Sequence, residues 1–154
     1  MEEKVLALLN GTLRAWGRED LISDDGPGFE GLLLDKKKSL PVHIFTTDQS
    51  RDRGRSYLVQ LSCYLGETRP MGLRTTELAM GIQLRPTPPG FVPGTPGFGY
   101  NGGDMEFTGL LLTSAQSSQQ VFTEALTHYF DLVAEVRALE DAIREDVNRR
   151  PGAH

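Results

Sequence analysis

Between Ser117 and Val147 the chain carries an apolar stripe that only a long helix can use. Phe122, Leu126, Tyr129, Val133, Val136 and Ile143 recur at nearly 3.5-residue spacing, interrupted by Glu140, and Leu132 and Leu139 widen the stripe. Side chains spaced in this way line one face of an α-helix, and a face this apolar needs a surface to lie on. Ser117 followed by Gln120 fits a capping box, which sets the helix start there. The rest of the chain has to supply the covering surface.

Part of it is a second helix. Val5, Leu6, Leu9, Leu13 and Trp16 predict an amphipathic helix over residues 2–16. Gly11 inside it costs about 1 kcal/mol relative to alanine, and Gly17 is placed to stop it. The other part is a sheet. Asp24-Asp25-Gly26-Pro27-Gly28 has the chemistry of a turn. Strands are predicted at Phe29–Asp35, Leu40–Thr47 and Ser56–Leu65. In the third, Tyr57, Val59, Leu61, Cys63 and Leu65 alternate onto one face. Short polar connections between them predict an antiparallel meander.

Thr75-Thr76-Glu77-Leu78-Ala79-Met80 fits a short helix capped by Thr75, and Gly81–Arg85 then reads as extended. Five of the nine prolines fall in residues 86–103, which therefore read as a long loop. Asp104–Thr113 is a further strand, with Met105, Phe107, Leu110 and Leu112 apolar and Gly109 as a bulge position. Helices at both ends of an antiparallel sheet define a two-layer α+β domain over residues 1–147, with a flexible tail at 148–154.

Several function classes lack their residues. Gly97-Phe98-Gly99-Tyr100-Asn101-Gly102 matches G-x-G-x-x-G. A dinucleotide site, however, needs a strand before it and a helix after it, and here a proline-rich loop precedes it and a strand follows. The segment reads as flexible loop. His43 and Cys63 on neighbouring strands are two ligand types without a third, so no metal site is predicted. Cys63 at mid-strand on an apolar face reads as an inert core thiol. No nucleophile elbow is present, and Asp104 with Glu106 reads as a solvated edge. The reading is therefore of no catalytic residue, no metal and no cofactor.

Charge narrows the partners. Sixteen basic residues against 21 acidic give −5, which opposes general binding to nucleic acid or to an anionic membrane. The basic clusters at Lys36–Lys38 and Arg51, Arg53 and Arg55 sit in separate predicted hairpin loops and read as solvated tips. No run approaches the roughly 18 apolar residues of a membrane span. A lone cysteine and a start without signal-peptide character predict a cytoplasmic protein.

A protein partner is what these features leave. Phe91, Phe98 and Tyr100 are aromatic residues in the 86–103 loop. They serve either as partner-binding anchors or as a plug folded onto the domain's own sheet. Deletion of residues 88–102 is expected to leave the fold largely intact. Phe122, Tyr129, Leu132 and Leu139 on the last helix are candidate dimer-interface residues.

The order of elements resembles that of the YbjN family and the class I type III secretion chaperones. It runs through a helix at Glu2–Trp16, a meander at Phe29–Leu65, a short helix near Thr75, a strand pair within Gly81–Thr113 and a helix at Ser117–Val147. The resemblance implies a homodimer without cofactor or catalytic residues, which holds an extended partner chain against its sheet and helix surfaces. The long Pro/Gly loop departs from that family's pattern. The expected function is therefore a chaperone-like or adaptor domain. The alternative is an inhibitor or immunity-type protein that blocks a basic partner through an acidic face.

Overall fold

A computed structural model of the chain describes residues 3–22, 42–48, 56–67, 73–101, 104–114 and 116–148. The predicted strand Phe29–Asp35, the turn before it and both basic clusters lie outside these residues. The elements are α1 (Glu3–Ala15), a single 3-10 turn (Glu19–Leu21), β1 (Val42–Asp48), β2 (Ser56–Glu67), α2 (Leu73–Gln83), β3 (Gly97–Asn101), β4 (Asp104–Ser114) and α3 (Gln119–Asn148). The four strands form one antiparallel sheet in the order β1-β2-β4-β3. Both terminal helices pack with it, which is the α+β architecture expected.

Strand alternation fixes which side of the sheet is buried. Tyr57, Val59, Leu61, Cys63 and Leu65 all face the helices. Register carries that face across the sheet, since Val42 opposes Cys63 on one side and Phe107 opposes Cys63 on the other. The α3 stripe lies on it: Leu126, Tyr129, Val133, Val136 and Leu139 are fully buried. Tyr129 stacks on Phe107 with ring centroids 5.5 Å apart, and its hydroxyl donates to the Phe107 carbonyl at 2.8 Å.

Burial holds the Tyr129 hydroxyl well above its usual pKa. An unfolded tyrosine ionises near pH 10, whereas this one stays protonated in the folded state. Its contribution to stability is therefore complete below about pH 10 and falls as pH rises beyond it. Tyr129→Phe is expected to cost about 1 kcal/mol at neutral pH. It should also flatten the alkaline limb of the stability curve, read by urea unfolding from neutral to strongly alkaline pH.

The α1–α3 contact explains Gly11. Gln119 of α3 lays its carboxamide over α1, and its Nε2 donates to the Leu8 carbonyl at 2.9 Å. A Cβ on Gly11 would fall on that carboxamide. An alanine there would have to displace that carboxamide from its bond to Leu8. Trp16 closes the same seam, donating through Nε1 to Thr127 at 3.0 Å and meeting Phe130 edge to face at 5.3 Å. Gly17 adopts φ +71° while the Arg18 amide reaches back to the Leu13 carbonyl and its own amide reaches Arg14. This is a Schellman stop, as the sequence predicts.

Four expectations change. Gly81–Gln83 is the last turn of α2, because Ala79 and Ile82 are buried together on one helical face. The partner strand of β4 is Gly97–Asn101, inside the segment expected to be loop. The α3 cap is Ser118, whose Oγ accepts from the Val121 amide at 3.4 Å, while Ser117 Oγ accepts from the Ser114 amide at 2.8 Å. Gly109 lies in regular register opposite Leu61, and the strand irregularity falls between Tyr64 and Gly66.

The segment before β3 is built into the sheet edge. Phe91 is 7% exposed and bridges to Leu111. The Val92 amide donates to the Leu110 carbonyl at 2.8 Å, and the Leu110 amide donates to Thr95 Oγ1 at 3.2 Å. Residues 91–95 thereby satisfy the stretch of β4 that β3 does not reach. The Phe98 amide, pointing away from β4, donates to Gln83 Oε1 of α2 at 2.8 Å. Deletion of 88–102 is accordingly expected to be damaging, contrary to the expectation from composition.

Candidate functional site

The helices cover one face of the sheet, and the alternate residues of the same strands build the other. Register sets these out in rows. Thr47, Leu58 and Leu112 form the first, and Phe45, Gln60 and Leu110 the second. His43, Ser62 and Thr108 form the third, and Tyr64 with Glu106 the fourth. On this face Phe45 is 49% exposed, Leu112 57% and Tyr64 44%, with Leu58 and Leu110 half-buried between them.

The face has two ends of different character. At one end Phe45, Leu58, Leu110 and Leu112 make an apolar surface across three strands. Hydroxyls and an amide band its middle: Gln60 Nε2 donates to Ser62 Oγ at 3.2 Å, and Ser62 and Thr108 hydroxyls pair at 3.3 Å. At the other end His43 meets Tyr64 edge to face at 5.8 Å and lies near-parallel to Phe45 at 6.4 Å. Tyr64 stands opposite Glu106, and that carboxylate raises the tyrosine pKa.

A half-open apolar groove adjoins the first end. Gly90, Leu111, Leu112, Val121, Phe122 and Ala125 line it, and its volume, open mouth included, is about 430 Å³. Val121 is 46% exposed there. A separate exposed apolar pair is Met80 on α2 and Leu84 just past its end, one turn apart, with the Leu84 amide donating to the Met80 carbonyl.

The residues expected to bind a partner are placed differently. Phe91 packs in the core, taking up the plug arrangement. Phe98 is half-buried, 5.0 Å from the ring of Phe107. Tyr100 sits on β3 opposite Met105, and its side chain lies outside the described residues. Phe122, Tyr129, Leu132 and Leu139 are 4%, 0%, 8% and 0% exposed within this one chain, so the domain's own layers already use them.

His43 and Cys63 point to opposite faces of the sheet, because Cys63 shares the core face with its partner Val42. Among the described residues no three His, Cys, Asp or Glu side chains come close enough to hold a metal ion. No described helix is long and apolar enough to cross a membrane. The open face is not legible from the buried parity of the strands alone. The signal was present: Leu110-Leu111-Leu112 is three leucines in succession, and a strand must send them to both sides.

Comparison with protein-family models, with curated proteins and with solved structures finds no match to this chain.

Proposed function

We propose that this domain is a non-enzymatic, chaperone-like or adaptor module that holds a partner polypeptide on the open face of its sheet. The observation that carries the reading is the exposed apolar surface of Phe45, Leu58, Leu110 and Leu112 on the side away from the helices. Apolar area returned from water is worth roughly 25 cal/mol per Å², and apolar side chains gathered on an exposed sheet face offer a partner such area. Beside it Gln60 and Thr108 are partly exposed polar side chains within reach of a bound chain, while Ser62 between them is buried. The element order, helix–strands–helix–strands–helix, supports the likeness to the YbjN and type III secretion chaperone families and the homodimer it implies. Since the candidate interface residues of α3 are buried, a second copy would have to use another surface.

Leu112→Asp is expected to reduce recovery of a co-purifying partner about tenfold, equivalent to ~1.4 kcal/mol. Leu84→Asp, just past the end of α2 and more exposed to solvent than Leu112, serves as the control and should leave recovery unchanged. Both positions are exposed, so stability should move by no more than about 0.5 kcal/mol. Equal recovery by both variants and the wild type, measured by quantitative pull-down, would remove the open face from the reading. Light scattering on the purified chain tests the dimer, for which a mass twice that of the 17.0 kDa monomer is expected.

A further inference from the structure

The second end of the open face has a chemistry that the apolar end does not share. Three rings, His43, Phe45 and Tyr64, run diagonally across β1 and β2, with the His43 and Tyr64 planes 70° apart. Two of them, Phe45 and Tyr64, are nearly half exposed. Glu106 stands opposite Tyr64 on β4, and its carboxylate beside the phenol raises the tyrosine pKa. The next strand presents a glycine to this corner. Gly99 pairs directly with Glu106, and a Cβ built on Gly99 would meet nothing within 4 Å. Gly99 therefore makes a bare shelf next to a carboxylate that has the Tyr64 ring on its other side, whereas the Gly97 position is covered by the Gln83 side chain.

We propose that this corner, bounded by Tyr64, His43, Glu106 and Gly99, receives the guanidinium group of an arginine carried by the bound polypeptide. The assignment deepens the reading above and rests on it. A cation over a ring face is attracted by the ring quadrupole. A planar guanidinium stacks on aromatic rings and also donates to a carboxylate in one geometry, which a lysine ammonium does not do. An acidic side chain is repelled by Glu106. An aliphatic one would strip water from that carboxylate without replacing its hydrogen bonds. The net charge of −5 favours a basic occupant over the whole approach. Gly99, inside the segment that fails as a dinucleotide site, thus has a role on a strand as surface kept free of a side chain.

The test uses the full chain with N-acetyl-arginine-amide as probe and N-acetyl-citrulline-amide, its neutral isostere, as control. Binding is followed by NMR through the ring protons of Tyr64 and Phe45. Saturable shifts are expected with the arginine probe, and an apparent affinity about tenfold weaker with citrulline. Glu106→Gln should abolish that difference. Gly99→Val should block the shelf, and it is tolerated by the backbone because Gly99 does not adopt a positive φ. Equal binding of the two probes, or no shift with either, overturns the assignment, and so does a folded Gly99→Val that binds arginine as the wild type does. If Gly99→Val does not fold, the citrulline comparison and Glu106→Gln decide. Partner recovery that depends on Leu112 but not on Glu106 would leave the open-face reading standing and remove the arginine corner. Recovery independent of Leu112 removes the former, and the probe titration then decides the latter by itself.

Discussion

Gly109→Val is expected to lower the unfolding free energy by about 2–3 kcal/mol, toward the upper part of the range for an overpacked core. For a domain of this size that corresponds to a fall of roughly 5–10 °C in melting midpoint. Gly109 lies on the buried face at the centre of β4, opposite Leu61. A Cβ there would lie 2.7 Å from Phe91 Cε1 and 3.2 Å from Tyr129 Cδ2. Neither ring can yield cheaply. Tyr129 is held by its stack on Phe107 and its hydrogen bond to the Phe107 carbonyl. Phe91 is held by the bridge to Leu111 and the backbone bonds of its segment. The smaller change Gly109→Ala allows a cleaner measurement, because it can be repeated in a Phe91→Ala background. Removing the Phe91 ring opens the space that the new methyl needs, so the two costs should couple by 0.5 kcal/mol or more, on the order of contacting residues generally. Additive costs in urea unfolding would mean that Phe91 does not cover Gly109. Gly99→Ala, with nothing near its Cβ, is the matched control and should be close to neutral.

The buried half of this architecture is legible in the sequence because it follows from local periodicity. The alternation from Tyr57 to Leu65 and the stripe from Phe122 to Ile143 each need a single face, and each has it. Gly17 also reads correctly, since a positive φ after an apolar helix is a local demand. What escaped local reading was set by partners distant in sequence. β3 contains Gly97 and Gly99, residues of poor strand propensity, and it becomes a strand because β4 offers an edge to pair with. Gly81 argued against helix, yet Ala79 and Ile82 bury together and carry α2 past it. Composition marked residues 86–96 as loop, which they are, but could not show that Phe91 returns to a glycine 18 residues on. The candidate site was hidden for a different reason. Leu58, Leu110, Leu112, Phe45 and Tyr64 sit at the parity that a half-buried strand normally fills with polar residues. Only the register of three strands brings these scattered exceptions onto one surface.

Phe91→Ala is expected to be the most damaging single truncation in the 86–103 segment, at about 3–5 kcal/mol. The melting midpoint should fall by roughly 10 °C or more. Deleting residues 88–102 removes that ring and β3 with it. It exposes the Phe107 ring that packs on Phe98, and it strips from Leu110 the bonds supplied by Val92 and Thr95. The deletion variant should therefore lose cooperative unfolding or aggregate, since an unpaired apolar strand edge is a template for association. Should it fail to express, Phe91→Ala still decides the matter. The alternative role for Phe91, an anchor offered to a partner, makes the opposite forecast: unchanged thermal stability with partner recovery lost. Measuring both quantities on the one variant separates them. A melting midpoint within about 2 °C of wild type, less than the shift expected for 1 kcal/mol, would mean that the ring spends its time outside the core. The sheet edge would then have to be completed in some other way.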